Sequence, residues 1–227
     1  MDWIDRLGPS IEGLRRRLRG EGRFEQEVAL PKLRLGRDRH SFAVCPDLLM
    51  RSSIAYSFGI DEDANFDLEL IGCFGCNVHL FEPRPRNLAW IRDQTTPPQL
   101  QVHPFGLADR DGVMTLGPMG SPGASHARRG HHPSSEYQVR RLTTLMRQLA
   151  HIHIDVLKLE LEGAEFVAIH ALSNTSVRPT QILVEFEHPM REFSPVRCER
   201  ALSQLNQLGY RIFDCHPNGH RFSLALV

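Results

Sequence analysis

Acidic residues collect where an α/β chain tends to place chemistry. The run "YSFGIDEDANFDLEL", residues 56–70, holds one glycine, Gly59, and the acids Asp61, Glu62, Asp63, Asp67 and Glu69. "NVHLFEP" ends in Glu82 and Pro83, "FGLADRDG" holds Leu107 and Asp109, and "IDVLKLELEGAEFVAI" crowds Asp155, Lys158, Glu160, Glu162 and Glu165 around Gly163. "ILVEFEH" closes on Glu185, Glu187 and His188. Carboxylates accept hydrogen bonds from hydroxyls, offset cations and remove protons. A phosphate loop needs backbone N–H groups and few acids, so a turn lined with carboxylates suits a cationic ligand.

The elements that would position these residues can be read from patterning. "SSIAYSF" is β-prone, and "EDANFDLELIGCFG" follows as a helix ending at Gly75. Strand and helix then alternate: "NVHLFEP" and "RNLAWIRDQ", a strand in "LQVHPFGLAD", a partly helical "VRRLTTLMRQLAH", then "IDVLKLEL", "AEFVAIHALSN", "TQILVEFEH" and "ERALSQLNQLGY". Such alternation predicts a mostly parallel sheet with helices on both faces. "YRIFDCHPNGHRFSLALV" predicts an antiparallel hairpin that adds an edge to it. Residues 1–45 predict a helical and extended lead-in, with a basic helix in "LRRRLRG", and residues 46–227 one domain. The Gly-, Pro-, Ser- and His-rich stretch 117–136 is the longest loop, a natural place for ligand recognition.

Composition removes several classes. Lys plus Arg is 27 and Asp plus Glu is 27, a zero balance that argues against a nucleic-acid binder held by bulk charge. No apolar stretch approaches the roughly 18 residues of a membrane helix. The first residues lack an apolar signal core. Five scattered cysteines make no disulfide framework, and a cytoplasmic setting is expected.

In doubly wound sheets the ligand lies at the C-terminal ends of the strands, near the switch point. Gly59, at the end of the first strand, lets the backbone pass close to a ligand. The acids after it suit S-adenosylmethionine, which carries a sulfonium and an ammonium and no phosphate; they equally suit the first turn of the following helix. Glu82 can take both ribose hydroxyls of an adenosine cofactor, or sit as a solvated strand-end acid. NAD stays open, against the missing G-x-G-x-x-G. Asp109 faces an adenine amino group or serves the turn. Lys158 and Glu160 fall on one strand face, where buried polar groups must pair.

These blocks, in this order and spacing, resemble FkbM-type methyltransferases over residues 45–227, and the first two also resemble the methyltransferase-like 24 branch. The resemblance implies the class I methyltransferase fold, a Rossmann-like, mostly parallel seven-stranded sheet, and use of S-adenosylmethionine. It implies methylation of a hydroxyl oxygen on a small molecule or glycan. It places Phe58, Gly59 and Asp61 at the methionine moiety, Glu82 at the ribose and Asp109 at the adenine, with Pro83 and Leu107 in the same cofactor-binding set. Where the family often has Asp, this chain has Glu82 and Glu160.

For removal of a hydroxyl proton the expected residues are Glu160 and Glu162, then Glu187 or His188, with Lys158 orienting or neutralising the acids. Asp61 is the expected ligand of its loop, Glu62 and Asp63 cap the helix, and Asp67 lies on its exposed face. Two rival sites are weaker. Cys73 and Cys76 have C-x-x-C spacing without a second pair. His131, His132, His151, His153 and Asp155 could hold a metal for a hydrolase, though a full ligand set is missing. A cofactor-fold binding or scaffold protein without catalysis is the remaining alternative.

Overall fold

The computed structural model describes residues 24–37, 40–116, 135–161, 163–186, 195–216 and 219–227. In chain order the elements are β1 (Leu33–Leu35), β2 (Phe42–Val44), β3 (Ile54–Phe58), α1 (Asn65–Phe74), β4 (Asn77–Phe81), α2 (Pro85–Arg92) and β5 (Leu100–His103). There follow β6 (Gly106–Leu107), β7 (Gly112–Leu116), β8 (Ser135–Arg140), α3 (Leu142–Gln148), β9 (Val156–Leu159) and α4 (Glu165–Ser173). The chain ends with β10 (Gln181–Glu185), α5 (Pro195–Gln207), β11 (Tyr210–Cys215) and β12 (Arg221–Leu226).

The main sheet has seven strands in the order β11-β12-β10-β9-β3-β4-β5. Pairing is parallel from β10 through β9, β3 and β4 to β5. From β3 the chain builds outward through β4 and β5, then returns to the other side of β3 to lay down β9 and β10. The switch point therefore falls between β3 and β9.

The terminal hairpin departs from the expected antiparallel edge. β12 inserts between β10 and β11, antiparallel to both, and β11 takes the edge running with the parallel strands. The reason is burial. Residues Arg221 to Ala225 are buried without a break, which requires cover on both faces and so an interior position. The expected single strand in "LQVHPFGLAD" is also divided. Pro104 and Phe105 separate β5 from β6, and β6 joins β8 and β7 in a second, three-stranded sheet.

One face of the main sheet packs Tyr56, Leu157, Leu159 and Ile182 against α3, α4 and α5. The opposite face packs Ala55, Val78, Leu80 and Leu183 against α1, α2 and the β1–β2 pair. That pair lies over β10 and β12. Buried Gln181 accepts the Cys45 N–H at 2.7 Å and donates to the Cys45 carbonyl at 3.3 Å. Lys32 and Arg34 bond Asp214 at 3.2 and 2.7 Å. Gly75 ends α1 in the left-handed region, its N–H bonded to the Ile71 carbonyl at 2.7 Å. Among the described residues no helix is long and apolar enough to cross a membrane.

On the first face, buried Tyr56 and His79 form a polar group with the half-buried His103 and His151. Tyr56 Oη lies 2.8 Å from His151 Nδ1, and His79 Nδ1 lies 3.0 Å from His103 Nε2. Burial, with His151 and His103 adding to it, pushes the His79 imidazole down to about 4. Burial lowers His103 and His151 as well. The unfolded chain takes up protons near pH 6.5 that these rings refuse, so their contribution is present above that range and declines as pH falls toward the lowered folded values. The urea midpoint is expected to drop between about pH 7 and about pH 5. The drop should be smaller in His79→Leu/His103→Leu; an equal drop in both proteins would clear the histidines of this role.

Candidate active site

At the C-terminal ends of β3, β4 and β9 the surface opens into a cleft enclosing about 640 Å³ with its mouth. One wall is Phe58, Gly59, Phe81, Glu82 and Pro83; another is Gly106, Leu107, Met114, Tyr137 and Val139, from the three-stranded sheet. Glu160, Leu161 and Ala164 close the third side. A second recess of about 360 Å³ adjoins it, lined by His40, Ile60, Asp61 and Glu185 and sharing Gly59, Arg84 and Glu160 with the first. The larger compartment is mostly apolar and aromatic, with Phe58 and Phe81 stacked at 4.5 Å. The smaller one is dominated by ionisable side chains.

Gly59 sits at the switch point with φ +87°. A Cβ there would run into the backbone carbonyl oxygen of Glu160. The glycine is thus required by the neighbouring strand end as well as by any ligand. Its N–H donates to the Phe81 carbonyl at 3.1 Å, and the Glu160 N–H donates to the Phe58 carbonyl at 3.0 Å.

Glu82 is fully buried at the end of β4. Its carboxylate accepts from the Arg84 backbone N–H at 2.8 Å, the Arg84 Nε at 3.1 Å and the Asn87 amide at 3.0 Å. These bonds fix the carboxylate against the cleft, which it lines.

Glu160 is held from beneath. Lys158, 2% exposed, bonds the Glu160 carboxylate and reaches the Gly59 carbonyl at 3.4 Å. Its ammonium lies 5.8 Å from the Phe42 ring centre and 5.7 Å from that of Phe66. His40 Nδ1 lies 3.6 Å from the other Glu160 oxygen. Burial opposes ionisation of Glu160, but Lys158 and His40 together outweigh it and hold the carboxyl well below the usual range. Burial works against the charge on Lys158 too; Glu160, Asp67 and Glu185 reverse that and raise its pKa. Lys158 does not line the cleft itself.

Asp67 corrects a sequence expectation. It is 1% exposed, on the inner face of α1, where burial raises its pKa against the pull of Lys158 and Ser57. The α1 stripe that carries Phe66, Leu70 and Ile71 into the core carries Asp67 with it. Asp63 accepts from the Asn65 N–H at 2.8 Å at the start of α1, and Glu62 pairs with Arg86 at 2.7 Å. Asp61 lines the smaller recess.

Not every expected residue reaches the cleft. Asp109 is 57% exposed beside Arg110 and is not among the lining residues. Its neighbour Asp111 takes the structural role in that turn, accepting from the Arg141 N–H and the Thr144 hydroxyl, both at 2.8 Å, at the start of α3. Glu165 closes the β9–α4 connection by accepting from the Leu161 and Gly163 N–H groups at 2.6 and 2.9 Å. Glu162, Glu187, His188, His131 and His132 lie outside the described residues.

Among the described residues the rival sites do not assemble. Cys76 is buried, Cys73 is exposed, and both are free thiols. His151 turns to Tyr56, while His153 bonds Thr180 at 2.9 Å. Among the described residues no three His, Cys, Asp or Glu side chains gather as a metal would require.

Sequence reasoning missed His40, Arg84, Met114, Tyr137 and the position of Glu185 in the recess. Glu185 carried a signal, since it stands at the end of a predicted strand. His40 carried none, because its contact with Glu160 spans 120 positions of the chain.

A parallel sheet whose switch point opens on a cleft with an aromatic compartment and a buried carboxylate is a doubly wound α/β arrangement with its candidate ligand site at the strand ends. The model of the methyltransferase FkbM domain matches residues 58–212, and the chain belongs to this family of methyltransferases. Comparison with curated proteins gives no match. Among solved structures, a methyltransferase from Pyrococcus furiosus is similar to 96% of this chain over 96% of its own, at 9% identity and a TM-score of 0.38; a likeness at that level carries no argument.

Removing Lys158 leaves buried acids without their cation. Lys158→Met is expected to cost about 3–5 kcal/mol in urea unfolding near neutral pH. Adding Glu160→Gln should recover part of that loss. A loss below about 1 kcal/mol would mean that Lys158 does not carry the site's charge balance.

Proposed function

We propose that this chain is an S-adenosylmethionine-dependent methyltransferase that acts on a hydroxyl oxygen of a small molecule or glycan. The observation that carries the reading is the two-part cleft at the switch point. Its larger compartment has the size and apolar walls of a small-molecule site. Glu82, fixed by Arg84 and Asn87, offers carboxylate oxygens to the ribose hydroxyls. Phe58, Pro83 and Leu107 give the flat apolar surface an adenosine needs, and Met114 and Tyr137 face it from the second sheet.

The acids of the smaller recess, Asp61, Glu160 and Glu185, suit the cationic end of the cofactor, and Glu160 also lines the larger compartment. When bound, the cofactor supplies an electrophilic methyl group on a sulfonium. The residues of the chain then have two tasks, aligning the acceptor oxygen with that methyl group and removing its proton. In this reading Glu160, held ionised by Lys158 and His40, accepts a hydrogen bond from the acceptor hydroxyl. Glu162, Glu187 and His188 remain candidates from their places in the sequence. The ionisable lining of the recess, with His40, Asp61, Arg84, Glu160 and Glu185, supports a small polar substrate.

Calorimetric titration with S-adenosylhomocysteine tests the reading. Binding is expected in the wild type and should weaken roughly 10- to 100-fold in Glu82→Gln, the loss of a charged hydrogen-bond acceptor. No binding by the wild type, or unchanged binding by a folded Glu82→Gln protein, would refute the cofactor assignment.

A further inference from the structure

We infer that Glu185, facing Glu160 in the smaller recess, is a further catalytic residue: the proton acceptor of the transfer, which shares one proton with Glu160 at rest and gives it up when a sulfonium donor docks. The inference rests on the proposed methyl-transfer reading and adds the residue and the proton path.

The two carboxyls are unequal in their surroundings. Glu160, at the end of β9, is tied to the buried Lys158 ammonium and approached by His40. Glu185, at the end of β10, is tied to Arg221 of β12, whose Nη2 donates to it at 2.9 Å. Arg221 is 3% exposed, and among the described residues its Nε and Nη1 have no hydrogen-bond partner. Its charge therefore stays available to Glu185 when that carboxyl ionises. The other charged groups about the pair are Asp67 on α1, and Asp61 and Arg84 at the rim of the recess.

Burial raises the Glu185 pKa, and the neighbouring Glu160 charge raises it further, while Arg221 acts in the opposite direction. Two carboxyls lining one recess compete for a proton. Lys158 and His40 lie against Glu160, so of the two Glu185 is the one with the greater affinity for it.

A cation entering the boundary of the two compartments changes that balance. Both carboxyls then ionise, and one proton leaves to solvent. During transfer the acceptor oxygen forms its bond to the methyl carbon as the carbon–sulfur bond breaks, and that electron pair stays on sulfur. The hydroxyl proton passes to Glu185. One positive charge disappears at sulfur as one negative charge disappears at Glu185, so the recess stays balanced through the cycle. The sum is alcohol plus sulfonium giving ether, thioether and one proton.

The test is a count of protons and needs no acceptor. Titrate the full chain with S-adenosylmethionine and with S-adenosylhomocysteine in buffers of different ionisation enthalpy near neutral pH. S-adenosylmethionine is expected to release about one more proton per site than S-adenosylhomocysteine. In Glu185→Gln the difference between the two ligands should vanish. An equal proton count for both ligands in the wild type overturns the inference, and that comparison needs no variant. A difference that survives in Glu185→Gln overturns the assignment to Glu185. If neither ligand binds, the cofactor reading fails first and the inference falls with it, a result distinct from binding without proton release.

Discussion

The site depends on one buried ammonium. Lys158 sits at the meeting of β3, β9 and α1, beside Asp67, Glu160 and Glu185 in a nearly dry space. An unpaired charge there would cost several kcal/mol, and without Lys158 the Glu160 carboxylate would lose the main cation that holds it ionised. With Lys158 in place Glu160 is a fixed anion, and the two acids further away keep a raised affinity for protons. The rings of Phe42 and Phe66 enclose the ammonium and exclude water, which strengthens each of these interactions.

Much of the frame was legible because it rests on local patterns. The alternation of strands and helices, the glycine that ends α1 and the strand-end positions of Gly59, Glu82 and Glu160 follow from spacing alone. Asp67 was misread because a helical stripe shows which positions face inward but not which polar residue is held there by a distant lysine. The place of β12 was misread because a hairpin specifies its own pairing and not which of its strands meets the sheet. The β6–β8–β7 sheet was missed because β6 is only two residues long and β8 begins beside the 117–134 stretch.

The cleft combines two kinds of support. Strand ends of the main sheet hold Gly59, Glu82, Glu160 and Glu185 on a rigid base, as a site requiring fixed geometry needs. The smaller sheet and the lead-in supply the outer walls, through Met114, Tyr137 and His40. His40 lies outside the 58–212 region that carries the family match, so the electrostatics of Glu160 are completed by a part of the chain that the family pattern does not include.

The lead-in also bears on how the chain reaches its native state. Glu27 meets the backbone of Ile212, Arg34 meets Asp214, and Cys45 meets Gln181. These contacts join segments 136 to 185 positions apart. Residues early in this sequence have partners late in it, and pairings of such separation close slowly. The lead-in's contacts with β10 and β11 can close only when those strands are in place, so the wall of the recess that His40 supplies is tied to long-range pairing.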